Sequence, residues 1–180
     1  MYKRQIGYFS FEEYQSSKRE KLADKYDLAV IRYEADNKYN VIPDLKEVIN
    51  AKDKTYSPLA FYFLLDNDLI NSKDEINNFF DILINDIGLD QKFKELTIFK
   101  KGLYNSDFSD ENNLLAILNP LIKTESIWKP HSLYIMAEYY LSKNQMQKSK
   151  EFFNQIVEME NVSPKVKLEV QRRLRSNFSE

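Results

Sequence analysis

The stretch YIMAEYYLSKNQMQKSKEFFNQIV, residues 134–157, has an apolar, aromatic first half and an apolar second half. A short polar break, Lys143-Asn144-Gln145, separates the two halves. Apolar residues in each half recur three and four positions apart, which places them on one face of an α-helix. A break this short is typical of two antiparallel neighbouring helices. The stretch therefore predicts a helical hairpin.

The second half of this hairpin carries an apolar triplet that recurs along the chain. In each copy, one apolar residue is followed by two more at the third and fourth positions. The copies begin 35, 38 and 35 residues apart. Such a period is typical of stacked helical hairpins. The triplets are Leu45/Val48/Ile49, Phe80/Leu83/Ile84, Leu118/Leu121/Ile122 and Phe153/Ile156/Val157.

The repeats predict an all-α fold, a right-handed α-solenoid of about four hairpins with a C-terminal capping helix. Strand patterns are nearly absent, and the run LAVIRY (28–33) continues a helical pattern better than an alternating one. We expect one repeat domain over residues 10–180. The predicted helices are 10–36, 41–51, 56–67, 73–86, 90–104, 111–123, 129–143, 146–160 and 164–176.

The composition argues against several classes of function. The chain has no cysteine, so disulfides and thiol nucleophiles are absent, and one histidine makes a histidine-based metal site implausible. Only three glycines are present, and no glycine-rich phosphate loop is among them. A formal net charge of −2 argues against nucleic acid as the main partner. We therefore expect no catalytic activity, no cofactor and no metal.

Serine-proline pairs and an aspartate predict where helices begin. Ser57-Pro58 and Ser163-Pro164 place serine at the N-cap and proline at the first helical position, where its missing N–H costs nothing. Lys129-Pro130 predicts a similar start with a weaker cap. In the remaining repeat, Asp90 is predicted to cap the first helix.

An aromatic column with the same intervals predicts a partner-binding face. Its members fall in the first helix of each hairpin, which lines the concave side of such arrays, and aromatics are common interface anchors. The alternative is packing between repeats. A row four residues further on, Val30, Leu65, Leu103 and Glu138, favours packing except at Glu138. The column consists of Tyr26, Phe61, Phe99 and Tyr134, and His131 and Glu138 complete the set of candidate partner-binding residues.

Three further features receive structural interpretations. Trp128 is expected to pack on the preceding repeat at the entry of its helix. The acidic stretch NSDFSDENN (105–113) is expected to be a loop and a helix start, since it lacks EF-hand spacing for calcium. The basic C-terminal stretch KVKLEVQRRLRSNF (165–178) is expected to cap the solenoid, with an acidic partner or lipid headgroups as the alternative.

Within the quoted hairpin, small and aromatic residues alternate at Ala137, Tyr140, Ser149 and Phe153, which resembles the tetratricopeptide repeat. In that repeat, small residues let two helices approach and aromatic residues fill the space beside them. Ala29 and Gly102 share the position of Ala137, whereas Leu64 departs from it. Asn144 stands where a glycine is usual, and no copy has the tryptophan of the family.

The whole layout resembles the tetratricopeptide-like domain of the YfgM type, the ancillary SecYEG translocon subunit family, with relatives in α-proteobacteria. The resemblance covers residues 6–176 and includes AKDKTYSPLAFYFLLDNDLI (51–70) and ESIWKPHSLYIMAEYYLSKNQMQKSKEFF (125–153). It implies an inner-membrane anchor, a periplasmic repeat domain, and translocon subunits, chaperones or exported clients as partners. On this interpretation, residues 1–9 combine an artefactual start with the tail of a truncated membrane helix. The evidence for that helix is the abruptly apolar and aromatic stretch IGYFSF (6–11).

The resulting expectation is a non-catalytic, membrane-tethered protein-interaction module that acts beside the secretion translocon or the envelope-assembly and chaperone machinery. One alternative is a soluble cytosolic tetratricopeptide scaffold or regulator without a membrane link, in which IGYFSF is a packed first helix. Another is a helical enzyme domain that uses buried carboxylates. The sequence offers no nucleophile with a base to support that activity.

Overall fold

The computed structural model describes residues 2–35 and 40–178, and every regular element in these residues is helical. This confirms the all-α prediction. Met1, the predicted helix end at residue 36 and the side chains of residues 6–11 lie outside the described part. A π-helical segment, Ile82–Asp86, continues α4. The α-helices are α1 (Tyr2–Glu34), α2 (Ile42–Asn50), α3 (Tyr56–Asp66), α4 (Lys73–Asp81), α5 (Gln91–Asn105), α6 (Glu111–Ile122), α7 (Lys129–Ser142), α8 (Met146–Glu158) and α9 (Pro164–Phe178).

The predicted helices correspond one to one with these elements, and most ends agree within two residues. The largest difference is α1, which begins at Tyr2 rather than at residue 10. The run 28–33 lies inside α1 and is helical, as predicted. The predicted helix 73–86 is divided between α4 and the π-helical segment.

The chain forms two compact units, the first unit Met1–Leu89 and the second unit Asp90–Glu180. The first contains α1 to α4 and the second contains α5 to α9. Two of the predicted hairpins therefore fall in the first unit, and two hairpins with the C-terminal helix fall in the second. The single repeat domain over 10–180 stays a prediction.

In the first unit, α1 packs on both α2 and α3, and these two helices pack on each other. Ala29 is fully buried in α1, where its small side chain lets the neighbouring helices approach closely. Phe61 of α3 is also fully buried, and its ring meets those of Phe79 and Phe80 at centroid distances of 5.8 and 4.8 Å. These aromatic contacts join α3 to α4.

Ser57 does not cap α3, contrary to the sequence-based prediction. The helix begins at Tyr56, and the fully buried Ser57 hydroxyl donates a hydrogen bond of 2.9 Å to the carbonyl oxygen of Val48. Asp53 serves the helix start instead, because its Oδ1 accepts hydrogen bonds from the backbone N–H groups of Thr55 and Tyr56. Ser57 therefore ties α3 to α2, which a local cap pattern cannot reveal.

In the second unit, each helix from α5 to α9 packs on the next, and α5 also packs on α7. The four residues that carry the tetratricopeptide resemblance, Ala137, Tyr140, Ser149 and Phe153, are all buried. One core cluster lies between α6 and α7 and contains Leu114, Leu118, Ile135, Met136, Tyr139 and Tyr140. A second joins α7, α8 and α9 through Leu133, Ala137, Phe153, Ile156 and Val170.

Two positions in this unit explain its close helix packing and its tight turn. Gly102 of α5 is so near α6 that a Cβ placed there would lie 2.2 Å from Cδ2 of Leu118. Asn144 adopts a φ of 57°, the left-handed conformation that often ends helices, and the next N–H, of Gln145, bonds back to the carbonyl oxygen of Tyr140. The asparagine thus adopts the backbone conformation that this turn requires.

Candidate functional site: an apolar groove in the second unit

Three helix starts in the second unit position the candidate site. Asp90 caps α5 by accepting hydrogen bonds from the backbone N–H groups of Lys92 and Phe93, as predicted. Helix α7 begins at Lys129, with Pro130 in its first turn. Ser163 precedes α9 and accepts a hydrogen bond of 3.3 Å from the N–H of Val166, which confirms its predicted capping role. These local signals determine where each helix enters the packed unit.

An open groove of ≈ 520 Å³ lies between α5, α7 and the start of α9. Most of the groove surface is apolar. Leu103 lines the groove and is 54% exposed, although its helix, α5, packs on neighbouring helices along another face. Three of the six predicted partner-binding residues line this groove. The lining residues are Phe99, Leu103, His131, Tyr134, Ile135, Ser163, Lys165, Val166 and Glu169.

Phe99 joins the groove to an aromatic cluster at the start of α7. Its ring stacks on Trp128, with centroids 4.7 Å apart and an interplanar angle of 18°. The exposed ring of His131 meets Phe99 edge-on at 6.0 Å. This arrangement confirms that Trp128 packs on the preceding hairpin. The Phe99 ring is thus packed against Trp128 and His131, and its remaining surface lines the groove.

Tyr134 is held by a polar contact with the C-terminal helix. The Nε–H of Arg173 donates a hydrogen bond of 3.2 Å to the Tyr134 hydroxyl, and the same nitrogen lies 3.0 Å from Oε1 of Glu138. Burial raises the pKa of Tyr134, and the Arg173 hydrogen bond opposes that rise. The Tyr134 ring also meets Phe153 at a centroid distance of 5.5 Å. Tyr134 and Glu138 therefore share Arg173 as a partner, which ties α7 to α9 beside the groove.

The two predicted candidates in the first unit have different surroundings. Phe61 is fully buried between α3 and α4, so its side chain belongs to the core and is not available to a partner. Tyr26 is partly buried, and its ring meets those of Tyr56 and Phe63 at centroid distances of 6.3 and 6.4 Å. Burial raises the pKa of Tyr26. The packing alternative therefore describes Phe61, and the exposed part of Tyr26 is small.

Six of the nine groove residues were not predicted from the sequence as partner-binding residues. Leu103 was placed in the row that favours packing, but the structure leaves it more than half exposed. The stretch that contains Lys165, Val166 and Glu169 is predicted to be a capping helix, with an acidic partner or lipid headgroups as the alternative, and the structure shows that the start of α9 forms one wall of the groove. The available signal for Leu103 was its position one helical turn after Phe99 on the same face. No local pattern indicated that α9 would meet that face.

The chemistry of the groove is that of a binding surface. Its wall is aromatic and aliphatic, and its edge carries one exposed lysine, Lys165, and the carboxylate of Glu169, which lies 3.2 Å from Arg172. Among the residues whose positions are described, no group of three metal-ligating side chains is close enough to hold an ion. None of the described helices combines the length and the apolar character that a bilayer crossing requires.

Comparison with protein-family models, with curated proteins and with solved structures finds no match for this chain.

Proposed function

We propose that this chain is a non-catalytic protein-interaction module built from tetratricopeptide-like helical hairpins. The observation that carries the proposal is the groove of the second unit, with Leu103 54% exposed beside Phe99 and Tyr134. Aliphatic and aromatic residues surrounded by charged groups are typical of sites that hold a partner segment. The fitting occupant is an amphipathic helix or extended peptide that places apolar side chains in the groove.

The packing of the helices supports the hairpin architecture in the proposal. Within the first unit α1 packs on α3, and within the second unit α5 packs on α7. In a solenoid of hairpins, first helices of successive hairpins are expected to meet in this way while each also contacts its own second helix. The buried small residues Ala29, Gly102 and Ala137 occupy the repeat position that close helix approach requires.

The cellular setting in the proposal rests on the resemblance to the YfgM type. That resemblance favours a tether to the inner membrane, a domain in the periplasm, and work beside the secretion translocon or chaperones. The DNA upstream of codon 1 in the source genome tests the tether. An in-frame stretch of about 20 apolar codons would support it. A stop codon and a ribosome-binding site directly before Met1 would instead favour the cytosolic scaffold.

A pair of matched variants tests the interaction groove. Leu103→Asp places a charge inside the groove, whereas Leu168→Asp places one on α9 at a residue that is 56% exposed and does not line the groove. Both changes replace an exposed leucine of the second unit, so their effects on folding should be similar. Peptides selected against the wild-type protein from a displayed library would then be measured on both variants.

We expect the selected peptides to lose at least tenfold in affinity for Leu103→Asp, since a carboxylate cannot be desolvated there without a partner. Binding to Leu168→Asp should stay unchanged. Circular dichroism would establish that both variants keep the helical content of the wild type. Equal losses in the two variants, or no loss in either, would contradict a role for the groove. Phe99 and Tyr134 are less suitable test positions because both also pack on neighbours.

A further inference from the structure

The first unit contains a cavity of ≈ 540 Å³ whose lining is rich in cationic side chains, although the chain as a whole has a net charge of −2. It lies between α1, the turn that joins α2 to α3, and the segment after α4. Of the lining residues whose side chains the structure describes, four are basic and one is acidic. The lining residues are Ser16, Lys18, Arg19, Leu22, Ala51, Lys52, Asp53, Lys54 and Ile87.

The turn that joins α2 to α3 holds one of these cations in place. Nη2 of Arg19 donates a hydrogen bond of 2.7 Å to the hydroxyl of Thr55, and its Nε lies 3.6 Å from Oδ2 of Asp53. Oδ1 of Asp53 accepts hydrogen bonds of 2.8 and 2.9 Å from the N–H groups of Thr55 and Tyr56. The guanidinium is therefore oriented by a rigid turn, while 58% of the Arg19 side chain stays exposed.

Two of the four cations have acidic partners, and the other two have none in the part of the chain that the structure describes. Asp53 offsets Arg19, and Asp86 offsets Lys52 through an ion pair of 2.6 Å. Lys18 and Lys54 are exposed and form no ion pair with any residue that the structure describes. The two lysine amines, which have no carboxylate partner among the described residues, lie beside an oriented guanidinium, so the described side chains carry a local surplus of two positive charges. The surplus favours a ligand that carries two negative charges.

We infer that this cavity binds a phosphate monoester, with Lys18, Lys54 and Arg19 as its anion-binding groups. A phosphate monoester carries about −1.5 to −2 charges at neutral pH, which matches two free cations, whereas a carboxylate would offset only one. The fork of N–H donors on an arginine fits phosphate oxygens, and lysines add point charges. Leu22 and the buried Ile87 supply an apolar surface for the organic part of the ligand.

The monoester has two possible sources that share this chemistry, a free small molecule and the headgroup of a lipid. The size of the cavity is in the usual range for sites of small organic ligands. The inference concerns residues of the first unit only, and it stands whether or not the groove of the second unit binds peptides. Phenyl phosphate is the probe for a free ligand. Vesicles of phosphatidylcholine with phosphatidic acid are the probe for a lipid headgroup.

The test compares the wild-type protein with Lys18→Gln/Lys54→Gln and with a matched control, Lys123→Gln/Lys150→Gln. The control removes the same charge from exposed lysines of the second unit that pair with no described residue. Glutamine and lysine have similar helix propensities, so both variants should fold. Binding of phenyl phosphate would be measured by calorimetry at low salt, and vesicle binding by flotation.

We expect the wild type and the control to bind one of the two probes equally well. Lys18→Gln/Lys54→Gln should lose at least about tenfold in affinity, since each charged hydrogen bond contributes substantially to binding. Binding of phenyl phosphate would identify a free ligand, and binding of phosphatidic acid vesicles alone would identify a headgroup. Amide signals of residues 52–54 in the wild type should shift during either titration.

Four results would contradict the inference. In the first, the wild-type protein binds neither probe. In the second, the control variant loses as much affinity as Lys18→Gln/Lys54→Gln. Shifts in the amide signals that avoid residues 52–54 are the third, and this measurement needs no variant to fold. Benzoate, with its single charge, should bind more weakly than phenyl phosphate, and an equal affinity for the two would also contradict the charge argument.

Discussion

At the scale of single residues, the second unit depends on small side chains at helix contacts and on a few polar contacts between helices. Gly102 faces the fully buried Leu118 at a distance that leaves no room for a methyl group. Glu111 at the start of α6 accepts hydrogen bonds from Lys148 of α8 and from the hydroxyl of Tyr140 in α7. These positions allow direct tests of packing and of electrostatics.

Gly102→Ala should destabilise the protein by about 1–3 kcal/mol, because a methyl group there overlaps the side chain of Leu118 in a closed core. The gain in helix propensity from glycine to alanine, about 1 kcal/mol, offsets only part of this. Urea denaturation would measure the change. In a Leu118→Ala background the same substitution should cost little or should stabilise. If the cost of Gly102→Ala is the same in both backgrounds, the close contact is not its cause.

Two hydrogen bonds hold the pKa of Glu111 below its usual value, the larger effect coming from Lys148 and the smaller from Tyr140. A carboxyl group with a lowered folded-state pKa stabilises the fold above its unfolded pKa, about 4.3 for glutamate. That stabilisation is lost as the pH falls through the folded-state pKa. The wild type should therefore be more stable than Glu111→Gln at pH 7, and the difference should shrink below about pH 4.3.

Denaturation curves from pH 7 to pH 3 would measure this difference. Glu160→Gln is the matched control, because Glu160 is exposed and makes no ion pair with a residue that the structure describes. Its stability difference from the wild type should change little over the same range. A Glu111→Gln difference that stays constant down to pH 3 would show that the contacts with Lys148 and Tyr140 do not depend on ionisation.

At the scale of the helices, sequence patterns located the elements well because their signals are local. Apolar spacing, Asp90 and Ser163-Pro164 act within one or two turns, so they could be interpreted without knowledge of the fold. Ser57 shows the limit of this reasoning. Its sequence context is that of an N-cap, but its hydroxyl bonds to Val48 of the preceding helix. A contact with another element decided its role.

The turn between α7 and α8 gives a prediction at this scale. Asn144 has a φ of 57°, a conformation that asparagine and glycine tolerate better than other residues. Asn144→Ala should destabilise the hairpin by about 1 kcal/mol, whereas Asn144→Gly should cost nothing or should stabilise it. Thermal unfolding of the two variants would measure the difference. An alanine variant as stable as the glycine variant would contradict the role of backbone conformation at this turn.

At the scale of the whole molecule, the chain is divided into two units that each have a core. The two clusters described in the second unit consist of residues between Phe99 and Phe178. The groove also belongs to this unit alone. The cationic cavity belongs to the first unit alone. The units can therefore be tested separately for folding.

A fragment of residues 90–180 should fold by itself, because the clusters around Tyr140 and Phe153 consist only of residues in this range. We expect a helical circular dichroism spectrum and a cooperative unfolding transition in urea, typical of a small domain. Gly102→Ala introduced into the fragment should lower its midpoint as it does in the full chain. A fragment that is helical but unfolds without cooperativity would show that residues 1–89 are needed to form the core.

Only some residues of the candidate site could be predicted from the sequence. Sequence periodicity identified Phe99 and Tyr134, because residues at one repeat position occupy equivalent places on their helices. The same reasoning placed Phe61 with them, yet Phe61 is enclosed by Phe79 and Phe80. Equivalent positions on two helices have different exposure when the neighbouring elements differ. Periodicity specifies the face of a helix, and it does not specify what covers that face.

The sequence by itself determined the all-α class, the approximate bounds of the helices and several of their caps. These depend on spacing and on hydrogen bonds over a few residues, so they are present in any local segment. Only the tertiary structure decided that Phe61 is core, that Leu103 is exposed and that the start of α9 completes a groove. Burial and cavities arise where segments distant in sequence pack together, and local patterns do not specify which segments meet.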